Sequence, residues 1–209
     1  GRYLFNSFLV SLTVSALVVF TSVCAGYAFA RLRFPGRGLL FAATLCCMMV
    51  PFEAVFIPNF ALVSRLGWYN THAALIVPWC ASAFSLFLAR QAFLSLPGEY
   101  YDAARVDGCG HFRFLFLVGV PLIRPTVVTV ALFAFLGSYN ALLWPLLVSQ
   151  RDKMKTIPQY ITAFAAERNT DEGAMMAAAL IASIPMFVLF MSLTKYFIGG
   201  SAVYESRKG

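Results

Sequence analysis

Charge is scarce in this chain. Only 12% of its 209 residues are charged, nine of them acidic, about half the share of an ordinary soluble domain. No CxxC pair occurs, and four of the five cysteines (Cys24, Cys46, Cys47, Cys80 and Cys109) lie in apolar runs. That argues against a metal site or a disulfide framework and for small apolar fillers. The two histidines, His72 and His111, stand alone. Catalysis needs a partnered base within reach, so both read as loop or interface residues. A membrane-embedded enzyme would need a cluster of His, Asp or Cys, and none appears. There is no GxxxxGK[ST] phosphate loop, so no ATPase motif and no cofactor is expected.

What the chain has instead is apolar surface: 60% of its residues are hydrophobic and 21 are Phe. A soluble fold of this size could not keep so much of it from water. The net charge of +7 sits between long apolar runs, not in a dense basic patch with stacking aromatics, so nucleic acid is not the partner. The bilayer is the natural solvent.

Counting residues between charges predicts five spans, at about 5–30, 38–58, 71–90, 125–147 and 173–194. Prolines in or near them are tolerated where neighbouring helices satisfy the freed carbonyls. One side of this arrangement holds ten basic residues against four acids, the other six against five. The ten-positive side, which includes Arg31, Arg33, Arg37, Arg105, Arg207 and Lys208, is cytoplasmic by the positive-inside rule. The C-terminus is then inside and the N-terminus outside. The chain opens Gly-Arg-Tyr with no signal peptide, which leads to the expectation of a fragment lacking an upstream span. Small residues recur four apart at Ser7, Ser11 and Ser15, at Ser22, Gly26 and Ala30, and at Ala174, Ala178 and Ala182. Such stripes let helices approach closely.

The segment 91–124 belongs to no span. Ser95 can cap a short helix, with Pro97 near its first turn. Glu99 and Asp102 fall early, where the helix dipole favours acids. Gly108 is placed to end it in a left-handed C′ position. The result is a helix of about ten residues outside the membrane, followed by an apolar stretch from Phe112 to Val120 that leads to Pro121. It is either a plain connector or a peg that docks into a partner's groove.

Asp102-Ala103-Ala104, then three residues, Gly108, nine residues, Val118, one residue and Val120-Pro121 resembles the EAA loop of ABC-importer permeases. The spacing is kept throughout. Further resemblances are Asn6-Ser7, the run YAFARLRFPGR from Tyr27 to Arg37, Met49-Val50-Pro51, Ile57-Pro58, Leu66-Gly67 with Asn70-Thr71, and Trp144-Pro145. Together they resemble the carbohydrate-uptake class, in the maltose and glycerol-3-phosphate permease style. The resemblance implies an all-α polytopic helix bundle, one transmembrane domain over 1–209, in the bacterial inner membrane. It implies half of a solute pathway for a sugar or sugar-like solute. The implied partners are a second permease, usually a different chain, two cytoplasmic ATPases and an extracytoplasmic binding protein. Six spans are usual in the family. The implied coupling residues are Glu99, Asp102, Ala103, Ala104, Asp107, Gly108 and Pro121.

Glu53 is the only acid inside an apolar run. It is either an interfacial carboxylate just past Pro51 or a group facing the pathway. Tyr139, Asn140 and Trp144 could offer an amide and aromatic faces to a sugar, or form an aromatic belt with one buried amide bond. Family members often carry Trp-Asn-Glu near here; Tyr139-Asn140-Ala141 lacks the acid. The polar loop from Ser149 to Glu172 is a solvated loop or, by resemblance through Thr156-Ile157-Pro158, a contact surface for the binding protein. Rival readings are a permease for another solute class and a secondary transporter. The latter needs paired ionisable groups at mid-membrane, and only Glu53 qualifies.

Overall fold

The computed structural model describes residues 1–166 and 172–205. Arg2–Arg31 form one unbroken helix, α1, about 45 Å long at 1.5 Å per residue and so longer than the roughly 30 Å hydrocarbon layer. Ser7, Ser11, Ser15, Ser22 and Ala30 are buried along it, while Phe5, Phe8, Leu12 and Phe20 are exposed. A helix in water shows the reverse. In a bilayer the large apolar groups lose nothing by facing lipid, and close approach of small residues drives packing.

The remaining helices are α2 (Arg37–Cys47), α3 (Phe52–Arg65), α4 (His72–Ile76, continued by a 3₁₀ turn over Val77–Trp79), α5 (Ala83–Ser95), α6 (Gly98–Val106), α7 (His111–Phe114), α8 (Val120–Leu122), α9 (Arg124–Tyr139), α10 (Leu143–Val148), α11 (Ile157–Ala166) and α12 (Glu172–Glu205). A π-helical turn, Leu115–Gly119, joins α7 to α8.

Three of the five expected spans are not single helices. The one at 38–58 is divided between α2 and α3. Pro51 has no N–H to continue α2, and it pushes Val50 out of the helical region. The one at 71–90 breaks at Cys80–Ser82, where the Ser82 hydroxyl accepts from Ser85 N (3.2 Å) and so starts α5 afresh. The one at 125–147 stops at Tyr139 and resumes as α10. Among the described residues two helices, α1 and Met175–Ser192 within α12, are long and apolar enough to cross a membrane; the number is up to four if each of two bent pairs is one span. The charge-gap count therefore measures apolar stretches, not unbroken helices. Arg168, Arg207 and Lys208, which weigh in the charge asymmetry, lie outside the described residues.

Two bodies are formed. The first comprises Gly1–Ser15, Phe52–Trp79 and Leu132–Gly209. Val10, Val63, Phe135, Tyr139, Trp144 and Val148 are buried there. Its broken helices leave carbonyls that need donors. Pro78 cannot donate to Ala74 O four residues back, and the buried Trp144 Nε1–H fills that place at 2.8 Å. Tyr139 OH donates to Ala182 O (2.8 Å), one turn before Pro185.

The second body comprises Ala16–Pro51 and Cys80–Ala131. Val23, Tyr27, Phe93, Phe114, Leu115 and Ile123 form its core. Here α1 lies directly on α5, because Gly26 has no side chain to hold them apart. A Cβ at Gly26 would fall 2.8 Å from Ala89 Cβ and 2.9 Å from Arg90 N. Thr21 Oγ1 donates to Cys80 O (3.0 Å), again a carbonyl at a helix break. Arg90 is fixed from both sides, with Nε donating to Phe29 O (3.3 Å) and its guanidinium 4.0 Å from the centre of the Phe41 ring.

Candidate functional site

The segment from Pro97 to Pro121 forms an exposed helix on a buried base. Pro97, not Ser95, is the N-cap of α6. Ser95 ends α5, its hydroxyl donating back to Ala92 O (2.9 Å). Proline needs no hydrogen-bond acceptor at a helix start, which is why it fits there. At the other end Gly108 N donates to Arg105 O (3.1 Å) and Cys109 N to Ala104 O (2.8 Å). With φ of +73° at Gly108, this is a Schellman closure. Gly108 thus ends the helix as its position predicts.

The helix divides its residues cleanly. Glu99, Asp102, Ala103, Arg105, Val106 and Asp107 are exposed. Tyr101, Ala104 and Cys109 pack on the core. The Tyr101 ring meets Phe114 edge-on, with centroids 5.2 Å apart, and stacks on His111 at 6.1 Å. His111 Nδ1 lies 3.1 Å from Tyr27 OH and 3.3 Å from Tyr101 OH. His111 is therefore not alone: it joins the base of α6 to the end of α1. Pro121 lies in α8 and is exposed; beyond it the chain turns by 85° into α9. Arg31 completes the base, its Nη2 donating to Phe93 O (3.0 Å) and Leu96 O. Periodicity gives no sign of Tyr27, Arg31, Tyr101 or His111, since each acts across a distance in sequence.

In the first body, the resembling dipeptides converge on one loop. Asn6 Nδ2 donates to Lys153 O (2.8 Å) and Lys155 O (3.1 Å), and Ser7 Oγ accepts from Ile157 N (2.8 Å). Asn70 Oδ1 accepts from Gln150 N (2.7 Å) and Arg151 N (3.0 Å), and its own N–H donates to Val148 O (2.8 Å). Gln159, buried, accepts from Thr156 N (2.8 Å) and donates to Ser149 O (3.1 Å). The loop over Ser149–Thr156 is thus held in one shape by side chains from three separate stretches. At its tip Asp152 pairs with Lys155 at 2.6 Å. That hydrogen bond and charge hold the Asp152 carboxyl below its ordinary value and the Lys155 ammonium above its own. Residues 167–171 of the expected loop lie outside the described residues.

Asn70 adopts a left-handed φ of 60°, a conformation Asn tolerates better than most residues. Asn70→Ala removes the acceptor of two loop N–H groups and strains the backbone. We expect a stability loss of about 1–3 kcal/mol, read as a lower melting midpoint in detergent. Asn70→Gly should recover part of it by relieving φ alone. An unchanged midpoint for Asn70→Ala would show that Asn70 does not hold the loop.

Of the candidate pathway residues, Tyr139 and Trp144 are buried with their polar tips bonded to main-chain carbonyls. Asn140 is exposed at the end of α9, and Glu53 is exposed in the first turn of α3. His72 begins α4 behind the Thr71 cap. No group of three or more His, Cys, Asp or Glu able to hold a metal occurs among the described residues.

The family model described as the binding-protein-dependent transport system inner membrane component matches residues 18–200. The chain is 35% identical over 195 residues to the lactose transport system permease protein LacG of Rhizobium radiobacter, spanning 93% of this chain and 71% of that one. It is 32% identical over 202 residues to the arabinooligosaccharides transport system permease protein AraQ of Bacillus subtilis strain 168, spanning 97% and 72%. It is 33% identical over 201 residues to the sn-glycerol-3-phosphate transport system permease protein UgpE of Agrobacterium fabrum, spanning 95% and 71%. Among solved structures, that of a bacterial ABC transporter involved in the import of the acidic polysaccharide alginate shares the fold. Its TM-score is 0.83 at 22% identity, over 94% of this chain and 74% of that one. The three sequence relatives are all named as transport system permease proteins. A long apolar helix that buries serines and exposes phenylalanines, and a match over most of the chain, lead to one conclusion: the chain belongs to the family of inner membrane components of binding-protein-dependent transport systems, as an integral permease subunit.

Proposed function

We propose that this permease forms half of the transmembrane pathway for a sugar or sugar-like solute and is driven through α6 by cytoplasmic ATPases. Its partners are a second, different permease chain, two ATPase subunits and an extracytoplasmic binding protein. The relatives named for lactose, arabinooligosaccharides and glycerol-3-phosphate support the solute class. The coupling reading rests on one observation. A helix closed at its far end presents Glu99, Asp102, Ala103 and Asp107 outward while Tyr101, Ala104 and Cys109 fix it to the core. Such a helix moves as a unit with whatever grips it. Ala103 leaves room for close approach, and Asp102 offers a carboxylate to a basic group. In this reading the C-terminus is cytoplasmic, the pinned outer loop meets the binding protein, and the chain makes five spans. Asn140 and Glu53 are the exposed polar groups left to line the pathway. Tyr139 and Trp144 would offer ring faces only.

A photoreactive residue at Ala103 in the assembled importer should capture an ATPase subunit, whereas one at Leu39 should not. If neither position captured it while the importer still hydrolysed ATP, α6 would be a connector. Calorimetric titration of the cognate binding protein against a sugar panel would identify the solute.

A further inference from the structure

The end of α1 opens onto a cleft of about 830 Å³ in the second body, within the size range of small-ligand sites. Arg31, Arg33 and Arg37 line one side, and Tyr101, Asp102 and His111 line the other. Three guanidinium groups against one carboxylate leave the cleft net positive. Two of the three are fixed. Arg31 is held by Phe93 O and Leu96 O, and Arg37 Nη1 donates to Leu32 O (3.0 Å). Between them the chain makes a type II turn, with Pro35 second, Gly36 third at φ 76° and ψ 4°, and Arg37 N bonded to Phe34 O. Arg33 is exposed and makes no hydrogen bond or ion pair among the described residues. Each fixed arginine bonds through one nitrogen, so further N–H groups remain to receive an anion.

One lining residue, Arg37, also opens an apolar helix. Arg37 is the first residue of α2, and Leu39, Leu40, Ala42, Ala43, Cys46 and Cys47 are exposed along that helix. A basic recess at the end of a helix long and apolar enough to span the membrane is thus joined, through Arg37, to a helix that exposes apolar side chains. A free anion would use only the first of these features. A phosphodiester headgroup carrying acyl chains uses both, and basic pockets between helices at the membrane surface hold such headgroups. We propose that this cleft holds the phosphate of an anionic phospholipid whose acyl chain lies along α2. The inference rests on α1 crossing the bilayer and not on the solute or the coupling reading.

The test uses the assembled importer in nanodiscs of phosphatidylcholine with a small fraction of spin-labelled phosphatidylglycerol. The motionally restricted fraction of that label is compared with that of labelled phosphatidylcholine. The parent should restrict the anionic label preferentially. Arg33→Gln should lower the preference about fivefold, the ratio that one basic group near an anionic surface is worth. Arg33→Lys should keep most of it. The exposed, unbonded Arg33 makes both changes safe for folding. Equal restriction of the two labels in the parent, or an unchanged preference in Arg33→Gln, would overturn the proposal. So would displacement of the label by added inorganic phosphate, which would mark a site for the free ion. A preference that appeared only after the ATPase subunits were stripped would also overturn it, because an acidic partner surface would then be the occupant. None of these readouts depends on transport.

Discussion

Gly108→Val should abolish uptake while the protein remains inserted in the membrane. Gly108 sits at φ +73°, and no heavy atom lies within 4 Å of where a Cβ would stand. The cost of a side chain there is therefore conformational, not steric. A left-handed backbone costs an ordinary residue roughly 1–2 kcal/mol, and a β-branched one is worse placed still. Valine would release the bonds from Gly108 N to Arg105 O and from Cys109 N to Ala104 O. Helix α6 would fray at the end that joins it to His111, and motion imposed on it would no longer reach the spans. Gly108→Asn separates this account from a general intolerance of substitution. Asn accepts the left-handed region, so that variant should transport at close to the parental rate. Ala103→Trp places bulk on an exposed position and should also stop uptake, here by blocking the partner. Asp102→Glu should be harmless. Proteoliposomes containing the assembled importer give the rates, and co-purification reports whether the ATPase stays bound. Parental transport by Gly108→Val with the ATPase still bound would reduce this loop to a connector.

Gly26→Ala should destabilise the second body, and Gly26→Leu should prevent its folding. The added Cβ would lie 2.8 Å from Ala89 Cβ, 2.9 Å from Arg90 N and 3.0 Å from Ala89 C. Two of those three atoms are main chain and cannot rotate away. Overpacking of this kind costs about 1–3 kcal/mol, which at this chain length lowers the melting midpoint by roughly 2–12 °C. The double variant Gly26→Ala with Ala89→Gly removes only the side-chain clash. It should recover a minor part of the loss, because the backbone contacts remain. Thermal melting of the detergent-solubilised protein gives both numbers. Full rescue by Ala89→Gly would show that α1 and α5 can move apart and that the backbone contact is not limiting. The same variants leave α6 exposed as before, so any loss of uptake should follow the amount of folded protein, in contrast to Gly108→Val.

The membrane as solvent, the small-residue face of α1, the exposed helix after Pro97 and its stop at Gly108 are all legible in the sequence. Each is a local or periodic property. Charge spacing, a four-residue repeat and a glycine at C′ leave their mark within one or two helical turns. The helix start at Pro97 in place of Ser95 shows the limit of that reading, because two residues both fit a cap and only the end of α5 decides between them. Span integrity is also undecided locally. Pro51 and the Ser82 cap break runs whose composition alone is uniformly apolar.

Only the tertiary structure shows what the resembling dipeptides do. Asn6 and Lys153 are 147 residues apart, and Trp144 and Ala74 are 70. Each pair joins a side chain to a main-chain group, so the partner's residue type leaves no trace in the sequence. The physical reason such bonds exist is the cost of leaving a carbonyl or N–H unpaired away from water. Prolines and helix breaks free those groups at known places, but which distant side chain reaches them depends on how the chain closes. The joining of Tyr27, Tyr101 and His111 beneath α6, and of three arginines around one cleft, was settled in the same way: by packing that brings side chains together across gaps no periodicity records.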